Sequence, residues 1–467
     1  MYEEESGKFS IKKALGYGIG QFSDTIVIQM FNMYVFTFYF AVVGINVDLI
    51  TIVFIIWSLW NAINDPLLGA LSDRTKTKLG KRKPYIIGAI GPLCLVVVLI
   101  FIPPVNSTIA TFFYFLTMVI LFDITYTAFD LNYASLFPEM FLNLQDRAKS
   151  NAIKQGFTVI GLIFASILPT LFIPKLDEPE YLINYSIAAI IMAIIVALGV
   201  VLLILFGIKE RVEFSKDYEK APSFLNSLKF SIKNKAFRYF IIANLAYWYV
   251  IGMLPAIVPL YGSFVLNIPE GESFLLGLLL GVAFISAAIF MVLWRFIAVK
   301  IGMKKGYMLA FATFIITLLP LMFISTVDIA FIAFFIVGIG LSGALLFGDI
   351  VLAAIIDQDE LSTGIRREGG YYGINALITK LSTILVILTI NLVFRSTGWK
   401  VFDPSGTLEI EFGLRSLVFI FPAIALGIGI LSITRFPITK EVYEQIKKDA
   451  DNLHKEKQQK LEKPYIK

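Results

Sequence analysis

Six ionisable side chains fall inside long apolar stretches of this chain: Asp24, Asp65, Asp123, Asp130, Asp349 and Lys380. A charge at the centre of such a stretch costs about 2.5–3.5 kcal/mol on insertion scales, so it persists where it faces a cavity or a partner. Asn61, Asn64 and Asp65 stand at i, i+3 and i+4, which puts all three on one side of a helix. Asp123, Thr127 and Asp130 stand at i, i+4 and i+7 and share a side in the same way. All of these groups carry oxygen, the ligand atom that a hard cation such as Na⁺ takes. A carboxylate withdrawn from water can carry a proton instead. Na⁺ and H⁺ are therefore both open as the ion handled here. Four of the five acids lie in the first half of the chain and the lysine in the second, so a central cavity linked by charge is expected. Lys380 sits about ten residues into its stretch, near mid-membrane at 1.5 Å per residue, and reads as a cavity lysine. Asp349 has no polar neighbour one turn away, only Asp357 two turns on, and reads as structural.

These groups need membrane-spanning helices to hold them. The chain has 467 residues, 57% hydrophobic and 16% charged, with a mean hydropathy of +0.78. A water-soluble fold would expose large apolar patches at this composition. A transmembrane helix needs about 20 mostly apolar residues. Twelve such stretches are expected, near 14–42, 47–71, 85–104, 109–136, 150–174, 182–208, 237–263, 273–299, 306–326, 328–355, 370–396 and 412–436. The expected fold is an all-α integral membrane protein with twelve transmembrane helices in two six-helix halves. The halves are residues 1–208 and 237–437, joined by a middle loop at 209–236 and followed by a polar tail at 438–467. The basic loop after span 8 stands where the basic loop after span 2 stands in the first half, as in a degraded repeat. Two such halves suit an alternating-access carrier with its site near the membrane midplane.

Loop charge alternates. Lys and Arg crowd the loops after spans 2, 4, 6, 8 and 10, as in Lys76-Thr77-Lys78-Leu79-Gly80-Lys81-Arg82-Lys83, while the opposite loops are poor in them. By the positive-inside rule both termini are cytoplasmic, and the acidic start Met1-Tyr2-Glu3-Glu4-Glu5 is unlike a cleavable signal. The net charge of +5 is that of basic loops and does not call for a nucleic-acid partner. One Cys (Cys94) and one His (His454) rule out an intrachain disulfide and a His- or Cys-clustered metal site. There is no nucleophile–His pair and no phosphate loop, so an enzyme is not expected and no cofactor is implied. In the tail, Tyr443, Ile446, Ala450 and Leu453 recur at helical spacing, as in a solvated helix lying near the membrane.

Trp57, Trp60, Tyr126, Tyr133, Tyr247, Trp248, Tyr249, Tyr371 and Tyr372 have faces that can stack on sugar rings, although each alone reads first as interfacial belt or packing. Three segments carry a more specific likeness. They are Trp60-Asn61-Ala62-Ile63-Asn64-Asp65-Pro66 with the basic loop that follows, Tyr126-Thr127-Ala128-Phe129-Asp130 with Ser135-Leu136-Phe137-Pro138, and Thr363-Gly364-Ile365-Arg366-Arg367-Glu368-Gly369 followed by Lys380. Together they resemble the glycoside–pentoside–hexuronide:cation symporters, a branch of the major facilitator superfamily that includes the melibiose permeases. The resemblance covers nearly the whole chain.

The resemblance implies a cation site at Asp65, Asn64 and Thr127. Asn61 replaces the family's first carboxylate, and Asp123 is one turn from Thr127, where it can restore the missing charge. It also implies a sugar site with one acid in span 1 and one in span 4, here Asp24 and Asp130, with Tyr126 and Tyr133 alongside. Lys380 matches a lysine that links the two sites. Ala134 stands where a stacking Trp often does, and the family's span 5 base falls near Lys154 and Gln155. Asp73, Arg74 and Arg82, with Arg147 and Glu368, are expected to form cytoplasmic contacts that hold the outward-facing state. The expected function is Na⁺- or H⁺-coupled symport of a sugar or glycoside across the cell membrane by a monomer in the bilayer. A carrier of another solute, such as a lysolipid, and a non-transporting receptor or scaffold are the alternatives. A scaffold has no need of costly midplane charges.

Overall fold

The computed structural model describes residues 10–75, 77–141, 144–208, 232–364 and 368–462. The first half contributes α1 (Ile11–Thr37), α2 (Val47–Arg74), α3 (Lys83–Leu99), α4 (Thr108–Met140), α5 (Leu144–Ile167) and α6 (Leu182–Leu202). The second contributes α7 (Lys235–Phe264), α8 (Phe274–Ile301), α9 (Met303–Leu318), α10 (Val327–Thr363), α11 (Glu368–Ser396) and the pair α12 (Leu408–Val418) and α13 (Ile420–Thr434). A last helix, α14 (Lys440–Glu462), packs on α10 and buries Ile446 and Ala450. The residues named in the expected middle loop from 209 to 231 lie outside the described residues.

Twelve spans emerge as expected, with three differences in detail. Among the described residues eleven helices are long and apolar enough to cross a bilayer, and α3 is a shorter apolar one. The tenth span was expected to end near 355, yet α10 continues to Thr363, where Gly364 takes a left-handed φ of 72° and caps it. Hydropathy marks only the hydrocarbon-crossing part of a helix, and the polar turns beyond Ile356 continue past it. The last span is broken at Phe419, because Pro422 has no N–H to offer the Val418 carbonyl.

Helix α2 shows how the spans orient. Leu59, Ile63, Leu67 and Leu71 recur every fourth residue and are exposed, an outer stripe suited to lipid. Asn61 and Asn64, on the other side, are buried. Across the two halves α1 packs on α7, α2 on α11, and α5 on α8. At the α5–α8 crossing a Cβ on Gly277 would sit 2.2 Å from the Ser166 carbonyl oxygen, so only glycine allows the two backbones this close.

At the end of the bundle opposite the start of α1 and the end of α13 the halves are latched together. Gly271 N–H donates to the Pro174 carbonyl at 2.9 Å, and Ser263 Oγ donates to Asp177 Oδ1 at 2.7 Å. Ser273 donates to the Thr170 carbonyl at 3.1 Å, and Tyr181 donates to Glu270. On the other side of the same end, Asn391 Nδ2 donates to Asp48 Oδ1 at 2.8 Å, and Val47 N–H donates to the Lys400 carbonyl at 2.9 Å. Burial pushes the Asp177 carboxyl above its ordinary range, although the Ser263 hydroxyl acts the other way.

Candidate cation and solute site

Two polar clusters meet on α4. The first lies between α4 and α2. Asp123 is buried, and its carboxylate accepts from Trp57 Nε1 at 3.1 Å, from Asn64 Nδ2 at 2.8 Å, and from Asn61 Nδ2. Asn64 Nδ2 also reaches the Asp123 carbonyl at 3.2 Å. One turn further along α4, Thr127 Oγ1 donates to Asp65 Oδ1 at 3.0 Å. The other oxygen of Asp65 pairs with Lys380 Nζ of α11. Asn61 Oδ1 is buried without a hydrogen-bond partner among the described residues. The cluster therefore presents carboxylate, hydroxyl and amide oxygens from two adjacent helices, a donor set that fits a hard cation.

The spacing argument holds on α2. Asn61 and Asn64 reach Asp123, and Asp65 reaches Thr127, so the three residues do face one neighbour. The role of Trp57 as a donor to Asp123 was not foreseen; a Trp one turn before Asn61 was the only signal, and many helices carry one.

The second cluster lies between α4 and α1. Tyr126 OH donates to Asp24 Oδ1 at 2.9 Å, and Gln21 Nε2 donates to Asp24 Oδ2 at 3.1 Å. Asp24 is buried. Asp130 is half-buried, and no hydrogen bond or ion pair engages it among the described residues. The charges acting on it are those of Asp24, Lys154, Asp65 and Lys380. Lys154 of α5 also acts on Asp24, and its Nζ lies 5.9 Å above the Phe137 ring centroid. Of the two positions expected for the span 5 base, Lys154 is the one whose charge acts on both acids.

Tyr133 is a correction. It was expected at the solute site, but it is buried and stacks on Tyr17 with ring centroids 4.4 Å apart. Tyr133 OH donates to the Tyr17 carbonyl at 2.8 Å, and Tyr17 OH donates back to the Tyr133 carbonyl at 3.1 Å. This reciprocal clasp ties α1 to α4 and leaves neither hydroxyl for a solute. Lys380, also expected at the solute site, has its ammonium on Asp65 in the first cluster.

Of the expected cytoplasmic contacts, Arg82 is described: it is buried, and its Nη1 donates to Ser72 Oγ at 2.7 Å. The side chains of Asp73, Arg74, Arg147 and Glu368 lie outside what the structure describes. Arg415, a further buried charge, is satisfied by Glu411, Ser325 and the carbonyls of Met322 and Ile324, and braces α12 against the α9–α10 turn.

Two six-helix halves, with buried carboxylates on α1 and α4 of the first and Lys380 of the second paired to Asp65, define a membrane transporter of the major facilitator type, not an enzyme. The sequence profile of the family described as MFS/sugar transport protein matches residues 16–440, and the chain belongs to that family. It is 24% identical to an uncharacterised symporter of Synechocystis sp., over 94% of this chain and 96% of that one. It is 25% identical to a putative sulfoquinovose importer of Escherichia coli, over 92% and 91% of the two chains. An isoprimeverose transporter of Lactiplantibacillus pentosus is 24% identical over 76% of this chain and 73% of its own. Among solved structures, a nucleoside transporter superposes with a TM-score of 0.66 at 14% identity, covering 91% of this chain and 99% of that one, a likeness of fold.

Proposed function

We propose that the protein is a cation-coupled symporter of a sugar or glycoside in the cell membrane, with both termini in the cytoplasm. The observation that carries this is the double use of α4. Asp123 and Thr127 face the α2 cluster, whereas Tyr126 and Asp130 serve the α1 cluster, with Tyr126 and Thr127 adjacent in sequence. A cation settling among Asp65, Thr127, Asn61 and Asp123 loosens the hold of Lys380 on Asp65 and draws α4 toward α2. That movement resets Tyr126 and Asp130; Asp130 and Asp24 accept hydrogen bonds from sugar hydroxyls, and the Tyr126 hydroxyl lies alongside. The two loads therefore favour one another through one helix, as coupling requires. With the termini inside, the latched end is the outer one, and the conformation described is closed to the outside.

The putative sulfoquinovose importer and the isoprimeverose transporter among the relatives support a sugar or glycoside as the solute class. The test is uptake into proteoliposomes across a panel of glycosides, pentosides, uronides and lysolipids under an imposed Na⁺ or H⁺ gradient. Gradient-driven uptake of a glycoside is expected. Uptake of lysolipid alone, or of nothing in the panel, would overturn the reading.

A further inference from the structure

Asp349 of α10 belongs to no cluster described so far. It lies 22 residues past the first residue of its helix, Val327, and Asp130 lies 22 residues past Thr108, the first residue of α4. Helices α4 and α10 are the fourth spans of their respective halves, so the two acids hold the same position along corresponding helices. Asp349 is exposed, and the charge acting on it across the halves is that of Lys154, which also acts on Asp130. The charge of Lys154 thus reaches an acid of each half.

The wall behind Asp349 is polar and underused. Tyr247 of α7 and Tyr307 of α9 both interact with its charge. Tyr307 is fully buried, and its hydroxyl has no partner among the described residues. An orphaned hydroxyl at such depth is costly unless something visits it. A Cβ built on Gly348 would be 3.9 Å from that hydroxyl and 3.9 Å from Asn244 Oδ1, so the glycine leaves a small gap between them. Asn244 Nδ2 is already committed to Asn375 Oδ1 at 2.5 Å, which turns its oxygen toward the gap.

We propose that Asp349, Tyr247, Tyr307 and Asn244 form a second solute-binding pole in the C-terminal half, taking the hydroxyl-rich far end of a glycoside whose first ring is held at Asp24 and Asp130. This rests on the glycoside reading above. With a carboxylate at each end of the solute, the far end is uncharged or cationic; a carboxylate or sulfonate there would meet Asp349. The pole favours a solute of two rings over one.

The test is equilibrium binding to the purified full-length carrier of methyl glycosides, of the disaccharides that extend each by one hexose, and of the disaccharides whose far ring is a uronate. The wild type is expected to bind the neutral disaccharide about tenfold more tightly than the methyl glycoside or the uronate form, the span of about 1.4 kcal/mol. Asp349→Asn and Tyr307→Phe are expected to abolish that advantage and leave methyl glycoside affinity unchanged. Tyr307→Phe removes a hydroxyl that bonds nothing within the described fold, so it tests the pole without disturbing packing. Variants that keep the disaccharide advantage overturn the pole while the glycoside reading stands. A wild type that binds none of the panel overturns that reading and the pole with it.

Discussion

Asp65 on α2 and Lys380 on α11 form an ion pair that joins the two halves of the carrier. The second Asp65 oxygen accepts from Thr127, so the carboxylate is held by the first half and shared with the second. In the unloaded carrier the lysine occupies the charge a coupling cation would neutralise. Lys380→Gln frees Asp65 of that competitor. The apparent affinity for the coupling cation, read by titrating it against solute binding, is expected to rise about tenfold, near 1.4 kcal/mol. Unchanged or weakened affinity would show that Lys380 does not compete for this site.

Asp123 takes N–H groups from Trp57, Asn61 and Asn64. Asp123→Asn replaces one acceptor oxygen by an amide that points donors at donors. Leaving buried donors unsatisfied costs about 1–3 kcal/mol, so a lower melting temperature is expected together with weaker cation dependence of solute binding. A variant with full cation dependence would remove Asp123 from the cation site.

The polar cluster between α2 and α4 was legible because it is local to two helices: the i, i+3, i+4 pattern of Asn61, Asn64 and Asp65 defines a face whatever packs on it. The number of spans was legible because a bilayer demands long apolar runs. Tyr133 was misread because its partner, Tyr17, is 116 residues away, and a tyrosine one turn from Asp130 looks alike whether it meets a solute or another ring. Asp349 read as structural because its own helix offers no polar partner one turn away; the groups that share its field, Lys154, Tyr247 and Tyr307, come from other helices. The latch escaped notice because backbone groups such as Gly271 N–H and the Pro174 carbonyl leave no mark in side-chain pattern.

The clasp makes a contrasting prediction. Tyr133→Phe loses one buried hydrogen bond to the Tyr17 carbonyl and keeps the stacked ring, so stability should fall by about 1 kcal/mol. Solute affinity should not change. A large loss of solute affinity at unchanged stability would return Tyr133 to the solute site.

The latch carries a pH dependence. When it is closed, burial holds the Asp177 carboxyl above the ordinary value of about 3.9; when the latch opens, water restores that value. The closed form therefore binds the proton more tightly. Acidification toward the ordinary carboxylate range favours closure, and closure weakens as pH rises through the raised value. A spin-label distance between the 172–178 and 266–272 loops should shorten on average at lower pH, and Asp177→Asn should flatten the response. An opposite trend in the unmodified protein would contradict this.

The central claim is that Asp65 couples a cation to solute movement. The direct measurement is accumulation of a transported glycoside in proteoliposomes under an imposed cation gradient, wild type against Asp65→Asn. The wild type should concentrate the solute above its outside level, and Asp65→Asn should at most equilibrate it. Accumulation by Asp65→Asn equal to that of the wild type would contradict the account.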